Sequence, residues 1–171
     1  MRQATPLLSA LAMTLACIGL APVFAQQVGT PSGTGPYPAI AESRPELPLH
    51  TVYRPVELPP AALPLYVWGN GGCSSNGLAH AAYLRQIASQ GYVIVSLGVA
   101  GGGAPAPADG SADATQASQM IEAIEWAERE TTRDGSPFRG HIDSWIPHVR
   151  GSCRLSSCPL VSPRGCPPQC P

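Results

Sequence analysis

The sequence predicts an α/β fold with a mostly parallel sheet and flanking helices, and three features predict it. Two continuous apolar runs, Leu63 to Trp68 and Tyr92 to Leu97, each stop at glycine, as strands buried on both faces do. Between them His80, Tyr83, Leu84, Ile87 and Ala88 recur at helical spacing, which makes a strand–loop–helix–strand unit with parallel strands. A second helical repeat, Ala117, Met120, Ile121, Ile124 and Ala127, follows the second run.

Taken in order, residues 1 to 25 read as an export signal. Arg2 precedes an apolar run from Pro6 to Val23, and Val23-Phe24-Ala25 supplies a cleavage site. Ser9, Thr14, Gly19 and Pro22 interrupt the run, which falls short of the roughly 20 uninterrupted apolar residues of a membrane span. Thr14-Leu15-Ala16-Cys17 lacks the aliphatic residue that a lipoprotein box carries three places before its cysteine. The expectation is a secreted or periplasmic protein with no membrane contact after signal cleavage.

Removing 25 of the 171 residues leaves 146, enough for one domain. A net charge of −1 with 12% charged residues provides neither a basic stripe for nucleic acid nor a polybasic patch for anionic lipid. A small-molecule partner fits better, and no nucleic acid is expected.

Residues 26 to about 36 are rich in Gly, Pro, Thr and Ser and read as a flexible lead-in. Ala39 to Glu42 and Leu49 to Tyr53 are short β-prone runs punctuated by Pro45, Pro48 and Pro55, which suits edge strands. The Leu63 to Trp68 strand feeds Gly69-Asn70-Gly71-Gly72. The helix beyond it should stop at Gly91 in a left-handed turn. A Gly- and Pro-rich loop runs from Gly98 to Gly110, and Asp113 with Gln116 forms a capping box for the second helix, which extends to about Glu130. Thr131 to Gly140 is a polar turn region. A third parallel strand is expected next, but Pro147 interrupts Ile142 to Val149.

From Ile146 onward the chain holds six Pro, four Cys and three Arg, with no acidic or aromatic residue, so it has too little apolar area to offset its ordering entropy. The domain plan is therefore 1–25 signal, 26–145 folded portion and 146–171 an irregular, disordered Pro/Cys-rich tail. All ten basic residues are Arg, as in a GC-rich coding sequence, and the tail has the composition that a shifted frame of such a sequence produces. Cys153, Cys158, Cys166 and Cys170 also admit two disulfides in an exported chain. Zinc would require the paired C-x2-C knuckles that are absent. No metal or other cofactor is expected.

The chemistry points to Asn70, Gly71, Gly72 and Cys73, at the carboxyl end of an expected parallel strand, where open α/β sheets place ligands. Glycines let backbone N–H groups converge, and each donor aimed at a developing oxyanion is worth about 3 kcal/mol in acyl transfer. Asn70 either adds a side-chain donor or fixes the loop. A dinucleotide fingerprint would need glycine at Ser74, and a phosphate loop would need a lysine that the chain lacks. A tight turn with no catalytic role remains the plain alternative.

Leu65-Tyr66-Val67-Trp68-Gly69-Asn70-Gly71-Gly72-Cys73, followed by Leu84-Arg85-Gln86-Ile87-Ala88-Ser89-Gln90-Gly91-Tyr92-Val93-Ile94-Val95, resembles secreted α/β-hydrolases related to dienelactone hydrolases and polyester-cleaving esterases. The resemblance covers roughly residues 36 to 145 and implies a partial α/β-hydrolase fold, with Asn70 to Cys73 as the oxyanion loop. It implies a small-molecule ester or polyester substrate. The segment from Met120 to Trp126 resembles the helix before the nucleophile strand, and Gly140-His141-Ile142-Asp143 resembles that strand's entry. In register with the family's G-x-S-x-G elbow stands Arg150-Gly151-Ser152-Cys153-Arg154, which makes Ser152 the nucleophile position with arginine in place of both flanking glycines. The family's acid and histidine follow its serine, and no Asp, Glu or His follows Ser152. A non-catalytic remnant or binding module is the competing expectation.

Overall fold

The computed structural model describes residues 25–71, 74–102 and 115–151, with side chains up to residue 144 in the last stretch. Six strands form one mixed sheet: β1 (Gln26–Ser32), β2 (Ala39–Arg44), β3 (Leu47–Pro55), β4 (Leu63–Gly69), β5 (Val93–Leu97) and β6 (Ile142–Gly151). Their order across the sheet is β1-β2-β3-β5-β4-β6. The helices are α1 (Ala81–Ala88), between β4 and β5, and α2 (Ala117–Thr132), between β5 and β6.

This architecture corrects the expected partial α/β-hydrolase fold with a mostly parallel sheet and flanking helices. Three pairings, β1–β2, β2–β3 and β3–β5, are antiparallel, and only β4–β5 and β4–β6 are parallel. The sheet is therefore mostly antiparallel, and two helices accompany it among the described residues. The difference arises at the start of the chain. The expected lead-in is an antiparallel edge strand, β1, whose side chains are nearly all exposed, so it has no apolar period for a sequence reading to detect. The two runs expected at edges, β2 and β3, are interior. Pro45 sits in the hairpin turn between them, and Pro48 and Pro55 lie outside the β3–β5 ladder of His50 to Tyr53, so none has to donate a hydrogen bond to β5.

Alternation along the strands divides the apolar residues between two faces. Leu63, Leu65 and Val67 of β4 join Val93, Val95 and Leu97 of β5 against Ala123, Trp126 and Ala127 of α2. Trp68 and Ile94 point the other way, toward Leu84 and Ala88 of α1. One helix thus covers each face. Each fully buried large aliphatic chain contributes on the order of 1.5–3 kcal/mol. Phe138, in the turn region after α2, is fully buried and stands edge-on to Trp126 with ring centroids 5.3 Å apart.

Both helices stop and start near the expected places. Gly91 follows α1 with φ +96°. α2 starts a little later than the expected box at Asp113, which lies outside the described residues. Its N-cap is Gln116, whose backbone N–H donates to Gln119 Oε1 at 2.8 Å.

β6 extends past the expected boundary at residue 145. Its register against β4 passes from Pro64↔Asp143 to Tyr66↔His148, so the residues between Asp143 and His148, Pro147 among them, bulge out against Leu65 alone. A bulge removes the proline from the ladder without ending the strand. No helix among the described residues is long and apolar enough to cross a membrane.

Candidate functional site

The chain leaves β4 toward β5 on one side, then leaves β5 and passes over β4 to β6 on the other. Strand order therefore reverses at β4, and a crevice outside the carboxyl ends of the strands is expected at such a point. Gly69, Asn70 and Gly71 occupy that end of β4. The end of β6 lies beside it, with Gly151 in register with Gly69.

Asn70 holds this end together. It is buried, at 6% exposure. Its Oδ1 accepts from the Trp68 indole N–H at 3.0 Å, and its Nδ2 donates toward three carbonyls, those of Leu97 at 2.8 Å, Asn76 at 2.9 Å and Ser74 at 3.3 Å. An amide nitrogen has two hydrogens, so three acceptors exhaust it. Of the two roles left open by the sequence, the geometry assigns Asn70 the bracing one. Gly71 accepts from the Ser74 N–H at 3.4 Å. Gly72, Cys73 and the nucleophile position Ser152 lie outside the described residues, as do Cys153, Cys158, Cys166 and Cys170.

The loop after β4 is laced to the loop after β5. Val99 N–H donates to Ser75 O at 3.0 Å, Gly77 N–H donates to Val99 O at 3.1 Å, and Asn76 and Val99 form a parallel bridge. Two buried β3 side chains support the lacing from below. Thr51 Oγ1 donates to Gly98 O at 2.9 Å, and the Tyr53 hydroxyl donates to Gly77 O at 2.7 Å. Burial pushes the Tyr53 phenol up to about 12, against the opposing pull of Arg85, so it remains a donor at any working pH. Thr51, Tyr53, Gly77 and Gly98 were not legible as site residues, because their roles are contacts across the fold and no local motif carries them.

Three histidines are described with side chains. His141 Nδ1 donates to Pro59 O at 2.8 Å, and His80 stands edge-on to Trp68 at 5.4 Å. His50, on β3, is buried and donates from Nε2 to Gln119 O in the first turn of α2 at 2.9 Å. Among the described residues its Nδ1 has no partner. Burial lowers the His50 pKa below the ordinary 6.5, outweighing the Gln119 carbonyl and the Glu122 carboxylate, which both favour the cation.

This shift has a pH signature. A histidine with a depressed folded pKa binds protons more readily when unfolded, so its contribution is intact above about pH 6.5 and is lost as pH falls through the folded value. Urea midpoints of the wild type are expected to drop between pH 7.5 and pH 5, and the drop should be smaller in His50→Gln. An equal drop in both proteins would assign the loss to other groups.

Among the described residues no group of three or more His, Cys, Asp or Glu side chains is placed to hold a metal ion. No protein-family model matches the chain, and no curated protein matches it. Fold and site together define a class only: among the described residues, a mixed sheet with one helix on each face and a braced glycine loop at the carboxyl end of its central parallel strand.

Proposed function

We propose that the chain carries part of an exported serine-type carboxylic ester hydrolase: the loop of Asn70 to Cys73 as its oxyanion loop and Ser152 as its nucleophile position. The observation that carries this reading is the pairing of Gly69 with Gly151 at the ends of two neighbouring parallel strands. Adjacent strands lie about 4.8 Å apart. The two segments that leave the sheet there, one toward the glycine loop and one toward Ser152, therefore start side by side. Acyl transfer needs this juxtaposition, because the attacked carbonyl must meet the nucleophile and the oxyanion donors together.

The bracing supports the same reading. An oxyanion loop is effective when its donors are held before the substrate arrives, and the Asn70 side chain together with the Val99 lacing fixes the described residues on either side of the expected donors. The residues after Ser152 supply neither the carboxylate nor the imidazole of a triad.

A second reading, a binding module without covalent chemistry, is favoured by one specific observation: Arg150 and Arg154 stand where the elbow would have glycine. A fluorophosphonate probe separates the two. Labelling that disappears in Ser152→Ala supports the hydrolase reading. Absence of labelling in a chain that still melts cooperatively overturns it and leaves the binding module.

A further inference from the structure

Away from the glycine loop, charged side chains of β2, β3 and the end of α2 come together. A cavity of about 780 Å³ opens at this place. Its floor carries Arg44 and Arg54, both over the Phe138 ring, and its far wall carries Arg129, Glu130 and Arg133 from the end of α2.

The hydrogen bonds leave these walls rich in donors. Beneath the floor, Glu42 is buried and accepts from Arg44 at Oε1 and from Arg54 at both oxygens. Both Glu130 oxygens are also taken, Oε1 by Arg133 Nε and Oε2 by Arg133 Nη2 and Ser136 Oγ. The arginines are less fully used. Arg44 bonds through Nε and Nη1, and Arg133 through Nε and Nη2, which leaves one terminal nitrogen of each unengaged among the described residues. Arg129 has no carboxylate partner among them at all. Four guanidinium groups face three carboxylates, those of Glu42, Glu46 and Glu130, so the local charge is +1 (4 − 3).

We propose that this cavity is a binding site for a small dianion, a phosphoryl group or a dicarboxylate, held by Arg129 with the free nitrogens of Arg44 and Arg133. A guanidinium already paired along one edge still presents N–H donors along another, and such donors match the oxygens of a planar carboxylate or a phosphate. The cavity volume lies within the range of small-molecule sites. Its lining shares no residue with the loop after β4, so the proposal stands apart from the acyl-transfer reading.

Calorimetric titration of the purified chain with inorganic phosphate, and separately with succinate, tests it. Saturable binding of either anion is expected, weakened about tenfold in Arg129→Ala, the loss of one charge-assisted contact. Arg129 is an exposed residue within α2, and alanine favours helix, so this variant keeps its fold and its melting temperature verifies that. Arg139→Ala, which removes an exposed guanidinium paired with Asp134 and absent from the cavity lining, should bind as the wild type does. Binding of phosphate alone identifies a phosphoryl ligand, and binding of both identifies dianions generally. Non-saturable heats with both anions, or equal weakening in the two variants, would overturn the site.

Discussion

Replacing Gly98 with alanine is expected to cost about 4 kcal/mol of stability, from two effects of roughly 1–3 kcal/mol each. The first is backbone strain, since Gly98 sits at φ +100°, where a side chain is disfavoured. The second is collision: an added Cβ would run into the Ser75 carbonyl and stand 2.7 Å from the Gly77 nitrogen. These are backbone atoms of the neighbouring loop, and they cannot yield without breaking the bonds between Val99 and Ser75 and between Gly77 and Val99. Gly101→Ala provides the comparison. It also has positive φ, +123°, but an added Cβ there meets none of the described residues within 4 Å. It should show the strain alone, roughly 1–2 kcal/mol. Urea denaturation of the three proteins measures both effects. Equal losses at Gly98 and Gly101 would mean that the loops are not tightly laced.

Asn70→Ala is the second large effect, also expected near 4 kcal/mol. It leaves the Trp68 indole N–H and the carbonyls of Leu97 and Asn76 without the bonds they make to this side chain, at about 1–3 kcal/mol for each buried group left unsatisfied. Asn70→Asp should be worse at pH 7, because it sets a carboxylate oxygen against carbonyl oxygens where Nδ2 now donates. It should recover partly at pH 4, where the carboxyl can carry a proton. Denaturation at the two pH values reads this directly. If the alanine variant kept wild-type stability and only the reactivity of Ser152 toward the phosphonate probe fell, Asn70 would be an oxyanion donor and the bracing role would be wrong.

The parts of this protein that were legible in its sequence are those set by local periodicity. The apolar runs of β4 and β5 and the helical spacing of α1 and α2 each bury a face that the chain itself encodes, so their positions follow from a short window. Gly69 to Gly71 was legible as a loop at a strand end for the same reason. β1 was not, because an exposed edge strand is specified by the free N–H and C=O groups of β2 and not by its own side chains. Without β1, and with β2 and β3 assigned to edges, the sheet read as mostly parallel. β6 was obscured by Pro147, which matters in a regular ladder and is accommodated in a bulge.

The two-faced pattern of the core and the place where the chain turns at the end of β4 are encoded locally, since both depend on residues close together along the chain. The direction of the strands around that core and the use of Asn70 as a brace arise only from long-range contacts. So does the convergence of arginines from β2, β3 and α2 on one cavity. Each of these joins groups tens of residues apart, as when Asn70 reaches the Leu97 carbonyl or Arg44 and Arg129 line a common cavity. Hydrogen bonds and charges of that kind leave no period in the sequence, because their partners are selected by the folded backbone.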